Sequence, residues 1–92
     1  MRFNLSNKRA MIGHSIRVKV TAGAKELIAK VTTELDGRKL GADSLRPAEL
    51  QYERVFEHVG GGGPGQNHVL RVRATNSDGE TRVASRRWND VS

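Results

Sequence analysis

The sequence lacks cysteine and is poor in aromatic and apolar residues. Without cysteine, neither disulfide bonds nor thiolate metal ligands can support the fold. Hydrophobic residues make up 36% of the 92 residues and aromatic residues 4%, and no stretch approaches the roughly 18–20 apolar residues of a membrane span. We therefore expect one domain without a membrane span, whose single modest core lies between two layers of secondary structure.

Acidic residues are absent from the first 25 positions, which contain six of the 16 lysines and arginines. The rest of the chain is electrically balanced, so the net charge of +6 originates in the leading segment. We interpret residues 1–14 as a flexible basic arm and residues 15–92 as a single domain. The alternative for the arm is a short edge strand built on Phe3 and Leu5. The arm has no uninterrupted apolar segment of a secretory signal. This predicts a cytoplasmic protein, or an extracytoplasmic one if the chain is excised from a larger or processed protein.

Apolar and polar residues alternate along several segments, which is typical of half-buried β-strands. One strand is predicted at residues 16–20 and another at residues 25–35, where a helix is conceivable because residues 24–31 are good helix formers. The β-branched residues near its end and the Asp-Gly turn at residues 36–37 favour the strand. The alternation predicts a core formed by Ile16, Val18, Val20, Leu27, Ala29, Val31, Leu70, Val72 and Ala74.

The middle of the chain is patterned more weakly. Residues 38–40 are predicted to begin a short return strand, which residues 41–44 interrupt, and residues 45–50 are interpreted as a crossing loop. Residues 51–59 predict a further strand, and the mixture of aromatic and charged side chains on one of its faces indicates an edge strand or a bent one. The glycine-rich segment at residues 60–65 is interpreted as a flexible connection. It is not a phosphate-binding loop, because no Gly-Lys-Ser/Thr follows it and the next element is a strand.

Residues 68–88 contain the clearest pattern, two strands separated by Asn-Ser-Asp-Gly at residues 76–79. We favour a loop made of the last three of these residues, with Asn76 paired to Glu80, because this sequence suits a type I turn with a glycine bulge. That register divides the arginines of the hairpin between two faces, since a one-residue slip reverses every side chain. A loop of two or four residues would instead gather four arginines on one basic face: Arg71, Arg73, Arg82 and Arg86.

Three features of this region occur together in order: Pro64-Gly65, the pattern His-x-Leu-x-Val-x-Ala at residues 68–74, and the Thr-Asn-x-x-Gly turn at residues 75–79. With them the sequence resembles bacterial immunoglobulin-like or fibronectin type III-like β-sandwich modules. The resemblance implies an all-β fold, an immunoglobulin-like antiparallel β-sandwich of six or seven short strands. The Cys-Trp-Cys pattern of antibody domains is absent, and His68 occupies a position where fibronectin-like strands often carry a core tyrosine.

The resemblance also implies a non-catalytic interaction or accessory module, since such modules act as spacers, adhesion surfaces or ligand-binding platforms. We expect a monomer whose partner is an unidentified protein or surface polymer. The residues themselves predict no enzyme, because Glu53 and Glu57 lie roughly 13 Å apart on a strand, too far for an acid/base pair. His14, His58 and His68 lack the spacing and the neighbouring ligands of a metal site, so neither a metal nor a cofactor is predicted.

The alternative function is binding of a nucleic acid or another polyanion, which is less favoured. Its basis is the basic arm together with the arginine-rich terminal hairpin. Lysine and arginine neutralise the charges of such polymers, and an indole ring can stack on a base or a sugar. The candidate polyanion-binding residues are Lys8, Arg9, Arg71, Arg73, Arg82, Arg86, Arg87 and Trp88.

Overall fold

A computed structural model of the chain describes residues 1–7, 15–57 and 67–89. Its strands are β1 (Arg2–Asn7), β2 (Ile16–Thr21), β3 (Ile28–Leu35), β4 (Arg38–Glu49), β5 (Gln51–Phe56), β6 (Asn67–Asn76) and β7 (Thr81–Asn89). They form two antiparallel sheets, one with the order β1-β2-β5 and one with the order β4-β3-β6-β7. The predicted all-β, immunoglobulin-like antiparallel sandwich is therefore confirmed. None of the described segments forms a helix that could span a membrane.

The core lies between the two sheets. Alternation along each strand places every second side chain on the inner face, and removal of these apolar side chains from water is the main force that holds the sheets together. Seven of the nine predicted core residues are buried. The buried apolar residues are Ile16, Val18, Val20, Ile28, Val31, Leu35, Tyr52, Phe56, Leu70, Val72 and Ala74.

The two predicted core residues that are not buried, Leu27 and Ala29, are displaced by a β-bulge. Strand β3 carries one residue more than β6 between Ile28 and Lys30, so the alternation changes phase at this point. Ile28 is fully buried, whereas Leu27 is 39% exposed. The prediction of Leu27 and Ala29 as core residues is wrong, because it extends the alternation from Val31 back through the bulge.

The first residues of the chain form a strand that belongs to the sandwich. Strand β1 pairs antiparallel with β2 and places Phe3 and Leu5 opposite valines of β2. Both side chains pack against the core, which gives this segment the apolar contacts that a free terminus lacks. The prediction of a flexible arm is wrong for Arg2–Asn7. The remaining part of the predicted arm, with Lys8 and Arg9, lies outside the described residues.

Strand β4 is longer than predicted. It continues from Arg38 to Glu49, so the interruption predicted at residues 41–44 and the crossing loop predicted at residues 45–50 are wrong over most of their length. Because β4 is an edge strand, backbone pairing of residues 38–39, 41–44 and 49 with β3 holds it in place although its sequence lacks the alternation of a half-buried strand. It begins at the two-residue Asp36-Gly37 turn, whose φ angles of 53° and 81° confirm the predicted turn.

Strand β5 is the outer strand of the three-stranded sheet, which confirms the edge position predicted for this segment. Tyr52 and Phe56 are buried on its inner face, and Arg54 lies between them on the same side. The end of the predicted strand, from His58 onward, and the glycine-rich segment at residues 60–65 lie outside the described residues.

Candidate interaction surface

The β6–β7 turn determines which side of the sheet each arginine occupies. The Asn76 N–H donates to the Glu80 carbonyl at 2.9 Å, and the Gly79 N–H donates to the Asn76 carbonyl at 3.0 Å. Gly79 has a φ of 90°, in the left-handed region that glycine adopts without steric cost. The three-residue loop at residues 77–79 is therefore confirmed, with Asn76 paired to Glu80 as the sequence predicts.

Three of the predicted polyanion-binding residues lie on the outer face of the four-stranded sheet. Arg71 and Arg73 alternate with buried residues along β6, so their side chains point away from the core. Arg87 pairs with Val69, which belongs to the same outward-facing set. All three arginines are exposed, and the register brings them together on one surface.

The other arginines of the hairpin, Arg82 and Arg86, belong to the opposite face. They pair with inward-facing residues of β6 but stay exposed, because β7 is the edge strand of its sheet. Nη1 of Arg86 donates to the Leu5 carbonyl, which joins β7 to β1 across the gap between the sheets. The backbone of Trp88 pairs with His68, and the side chain of Trp88 lies outside the part of the molecule that is described.

Two lysines outside the predicted polyanion-binding set join the outward-facing arginines. Lys30 of β3 and Lys39 of β4 are exposed, and Lys39 and Arg71 flank Glu34 in one row across three strands. None of the basic side chains on this face forms an ion pair with another described residue. We call this surface the basic face. It comprises Lys30, Lys39, Arg71, Arg73 and Arg87.

An open groove of about 300 Å³ lies at one end of the basic face. Two guanidinium groups and two carboxylates border this depression, so it offers hydrogen-bond donors and acceptors side by side. Its lining residues are Glu34, Asp36, Gly37, Val69, Arg71 and Arg87.

No family model matches the sequence, and no curated protein sequence matches it either. Among solved structures, the fibronectin(III)-like modules of Clostridium thermocellum CbhA are similar, with a TM-score of 0.59 over 98% of this chain and 97% of that chain. The chain has a fibronectin III-like fold. Sequence identity is 18%, so the likeness concerns the fold, and the function has to be argued from this chain's own surfaces.

At one end of the fibronectin III-like sandwich, Asp36 connects the β3–β4 turn to the start of β6. Its Oδ1 accepts a hydrogen bond from the Val69 N–H at 2.8 Å, and its Oδ2 lies 2.6 Å from Nδ1 of His68. Burial by itself raises the pKa of Asp36. The hydrogen bonds from His68 and Val69, with the charges of His68 and Arg38, outweigh burial and hold that pKa below its ordinary value.

His68 is therefore part of a structural contact, and its ring is almost fully buried. Within residues 1–7, 15–57 and 67–89, no three histidine, aspartate or glutamate side chains lie together as a metal site would require. The other two histidines, His14 and His58, lie outside those ranges.

A second contact closes the sandwich where β4 and β5 meet. The Tyr52 hydroxyl donates to Oδ2 of Asp43 at 2.5 Å, and Nη1 of Arg54 donates to both carboxylate oxygens of Asp43 at 3.1 and 2.9 Å. The Arg54 guanidinium also lies 4.6 Å from the centre of the Phe56 ring. Burial, and next the hydrogen bond to Asp43, raise the pKa of Tyr52 far above its ordinary range. The hydrogen bond from Tyr52 lowers the pKa of Asp43, and Arg54 adds to this effect.

Because the protein contains one tyrosine, the ultraviolet absorbance of the phenolate measures the ionisation of Tyr52 alone. We expect Tyr52 to ionise at a clearly higher pH than free tyrosine, whose pKa is about 10. Because the pKa of Tyr52 is higher in the folded chain than in the unfolded chain, its protonated form stabilises the folded state fully below a pH of about 10. This stabilisation is lost as the pH rises through the folded-state pKa. Asp43→Asn removes the neighbouring charge and is expected to lower the pKa of Tyr52. Glu53→Gln, on the outer face of β5, is the control and leaves it unchanged. An equal pKa in the two variants would contradict the assignment.

A third contact lies at the opposite end, where Asn76 joins the β6–β7 loop to the connection between β2 and β3. Its Oδ1 accepts hydrogen bonds from the N–H groups of Asp78 and Glu80 at 3.0 and 2.9 Å, and its Nδ2 donates to Oε1 of Glu26 at 2.9 Å. The other oxygen of Glu26 accepts from the Gly23 N–H at 3.2 Å and lies 3.5 Å from the terminal amine. The hydrogen bond from Asn76 contributes most to lowering the pKa of Glu26.

Proposed function

We propose that the chain is a non-catalytic accessory module that acts by binding a partner through its surfaces. The observation that carries this proposal is that the carboxylates of Glu26, Asp36 and Asp43 are each held by hydrogen bonds that join strands or loops of the sandwich, and the directions of their pKa shifts agree with a structural role. General acid–base catalysis requires groups whose pKa lies near the working pH. The pKa values of Glu26, Asp36 and Asp43 are lowered and those of Tyr52 and Arg54 are raised, so each moves away from neutrality.

The same groups are occupied in holding the sandwich together. Asp36 fixes the β3–β4 turn to β6, Asp43 joins the edges of the two sheets, and Glu26 connects two loops and the amino terminus. A carboxylate with such partners is restrained in position and stays ionised near pH 7, which suits a structural role. The fibronectin III-like fold supports this proposal, because modules of this type are typically non-catalytic.

Binding of a polyanion is the second candidate function, and the basic face is the observation that favours it. Arg71, Arg73 and Arg87 lie on one exposed surface with two lysines, and these cations lack acidic partners among the described residues. The predicted contribution of Lys8 and Arg9 lies outside the described residues, and Arg86 is engaged with the backbone of β1. We propose the basic face as the candidate polyanion site, and the contribution of Lys8 and Arg9 stays a prediction.

The test of the proposed function measures turnover and binding on one preparation of the folded chain. Chromogenic ester, glycoside, phosphoester and peptide substrates are expected to give no product above the buffer rate. Immobilised polysaccharides and cell-surface proteins are expected to include at least one saturable ligand. Turnover that co-elutes with the folded protein and increases with its concentration would contradict the proposal, and so would the absence of binding to every ligand.

A further inference from the structure

We propose that the basic face of the four-stranded sheet binds an acidic polysaccharide, with one acidic sugar seated in the groove between Arg71 and Arg87. This inference rests on the proposed function and names the partner class of the module. It depends on three features of the outer surface: its cations, which have no ion-pair partner among the described residues, its hydroxyl-bearing strands, and the carboxylate of Glu34 among these cations.

The charge of the basic face favours an anionic partner. Five cations and the carboxylate of Glu34 lie on the sheet surface, the carboxylate of Asp36 borders the groove at its end, and none of the five cations forms an ion pair with another described residue. Arg71 and Arg73 are two residues apart on one strand, so their Cα atoms are roughly 7 Å apart. An extended polymer that carries repeated carboxylate or sulfate groups can therefore contact several of these cations at once, and arginine binds such groups with two parallel hydrogen bonds.

The chemistry of the face favours a sugar polymer over a nucleic acid. Between the cations the strands present hydroxyl groups, including those of Thr32, Thr75 and Thr81, and the last two lie 3.0 Å apart. Hydroxyls of this kind can exchange hydrogen bonds with those of a sugar. No aromatic residue belongs to the outward-facing set of the described part of this sheet, whereas unpaired bases are bound mainly by stacking on aromatic rings.

The position of Glu34 further favours an acidic sugar polymer over a nucleic acid. Glu34 lies between Lys39 and Arg71 in the row across the sheet and also lines the groove. A DNA duplex carries one negative charge per about 1.7 Å of its axis, so more of its charges would lie close to Glu34 than those of a polymer with one acidic group per sugar. A sugar can instead place its acidic group against Arg71 and Arg87 and donate a hydroxyl to Glu34. The groove volume of about 300 Å³ is at the lower end of the range for ligand sites, as expected for a single sugar unit.

The experiment compares polygalacturonate, neutral dextran and a single-stranded oligodeoxynucleotide as probes of the full chain at low and high salt. The key variant is Arg71→Gln/Arg87→Gln. Its matched control is Arg2→Gln/Arg17→Gln, which removes the same charge from exposed positions on the three-stranded sheet. Thermal unfolding establishes that both variants are folded.

We expect polygalacturonate to bind with an affinity that falls with salt, and dextran not to bind. The groove variant is expected to bind polygalacturonate at least tenfold more weakly, and the control less than threefold more weakly. Glu34→Gln is expected to weaken polygalacturonate binding, because the hydroxyl acceptor becomes poorer, and to strengthen any binding of the oligodeoxynucleotide.

Three results would overturn the inference: no binding of polygalacturonate at low salt, equal losses in the two double variants, or tighter binding of the oligodeoxynucleotide than of polygalacturonate. Tighter polygalacturonate binding by Glu34→Gln would also overturn it, since this indicates attraction by net charge alone. If the chain binds a neutral polymer or a protein instead, this inference fails while the proposed non-catalytic function stands. Turnover of a substrate by the folded chain would instead contradict the proposed non-catalytic function.

Discussion

Replacing Ile28 with alanine is expected to lower the free energy of unfolding by about 2–5 kcal/mol, whereas replacing Leu27 with alanine costs about 1 kcal/mol or less. Ile28 is fully buried between the sheets and Leu27 is 39% exposed. Truncation of Ile28 removes buried methyl and methylene groups and leaves a cavity that the packed strands cannot close completely. Truncation of Leu27 leaves a surface that water can occupy.

Urea unfolding measures both variants, and an unchanged slope with denaturant shows that the midpoints report on stability alone. The pair is informative because simple alternation along β3 predicts the reverse order of effects. If Leu27→Ala destabilises the protein as much as Ile28→Ala, the bulge between Ile28 and Lys30 is absent and the inner face of β3 has the opposite phase.

Replacing Asn76 with alanine is expected to lower the free energy of unfolding by about 2–4 kcal/mol, which is a large effect for a polar residue. The substitution removes two hydrogen bonds to the N–H groups of the β6–β7 loop and one to the ionised carboxylate of Glu26. Because Asn76 is 4% exposed, water cannot fully replace these bonds. Thermal or urea unfolding measures the loss, and Ser77→Ala in the exposed part of the same loop is the control, with an expected change within about 0.5 kcal/mol.

A charge-exchange variant tests whether the contact between Asn76 and Glu26 carries part of this effect. Asn76→Asp keeps an acceptor for the loop but places a second carboxylate beside Glu26, so we expect it to destabilise the protein at pH 7. The loss should shrink as the pH falls and one carboxylate takes up a proton. Adding Glu26→Gln supplies an amide that donates to the new carboxylate, and the double variant is expected to recover more than half of the loss. Additive losses in the double variant would show that the two side chains do not interact.

The sequence is sufficient for features that depend on neighbouring residues. The Asp36-Gly37 turn and the three-residue loop after Asn76 follow from local backbone preferences, because few residues adopt positive φ angles without cost. The loop length then determines the register of the hairpin. The division of its arginines between two faces was therefore predictable, including the outward position of Arg71 and Arg73.

The basic face as a whole was not predictable from the sequence. Lys30 and Lys39 lie far from Arg71 and Arg87 along the chain, and only the pairing of β3 with both β4 and β6 brings them onto one surface. The groove likewise requires the β3–β4 turn to lie beside β6, with Arg87 of β7 on the other side, and no one of these segments alone indicates the others.

Local patterns therefore determined the strand-rich fold class, the two tight turns and most of the core, because alternation and turn chemistry act over a few residues. Tertiary structure decided the bulge that buries Ile28, the pairing of Arg2–Asn7 with β2, and the long path of β4. Each of these depends on hydrogen bonds and packing supplied by a partner strand. Such partners override weak local patterns, because an edge segment gains its stability from the strand that it joins.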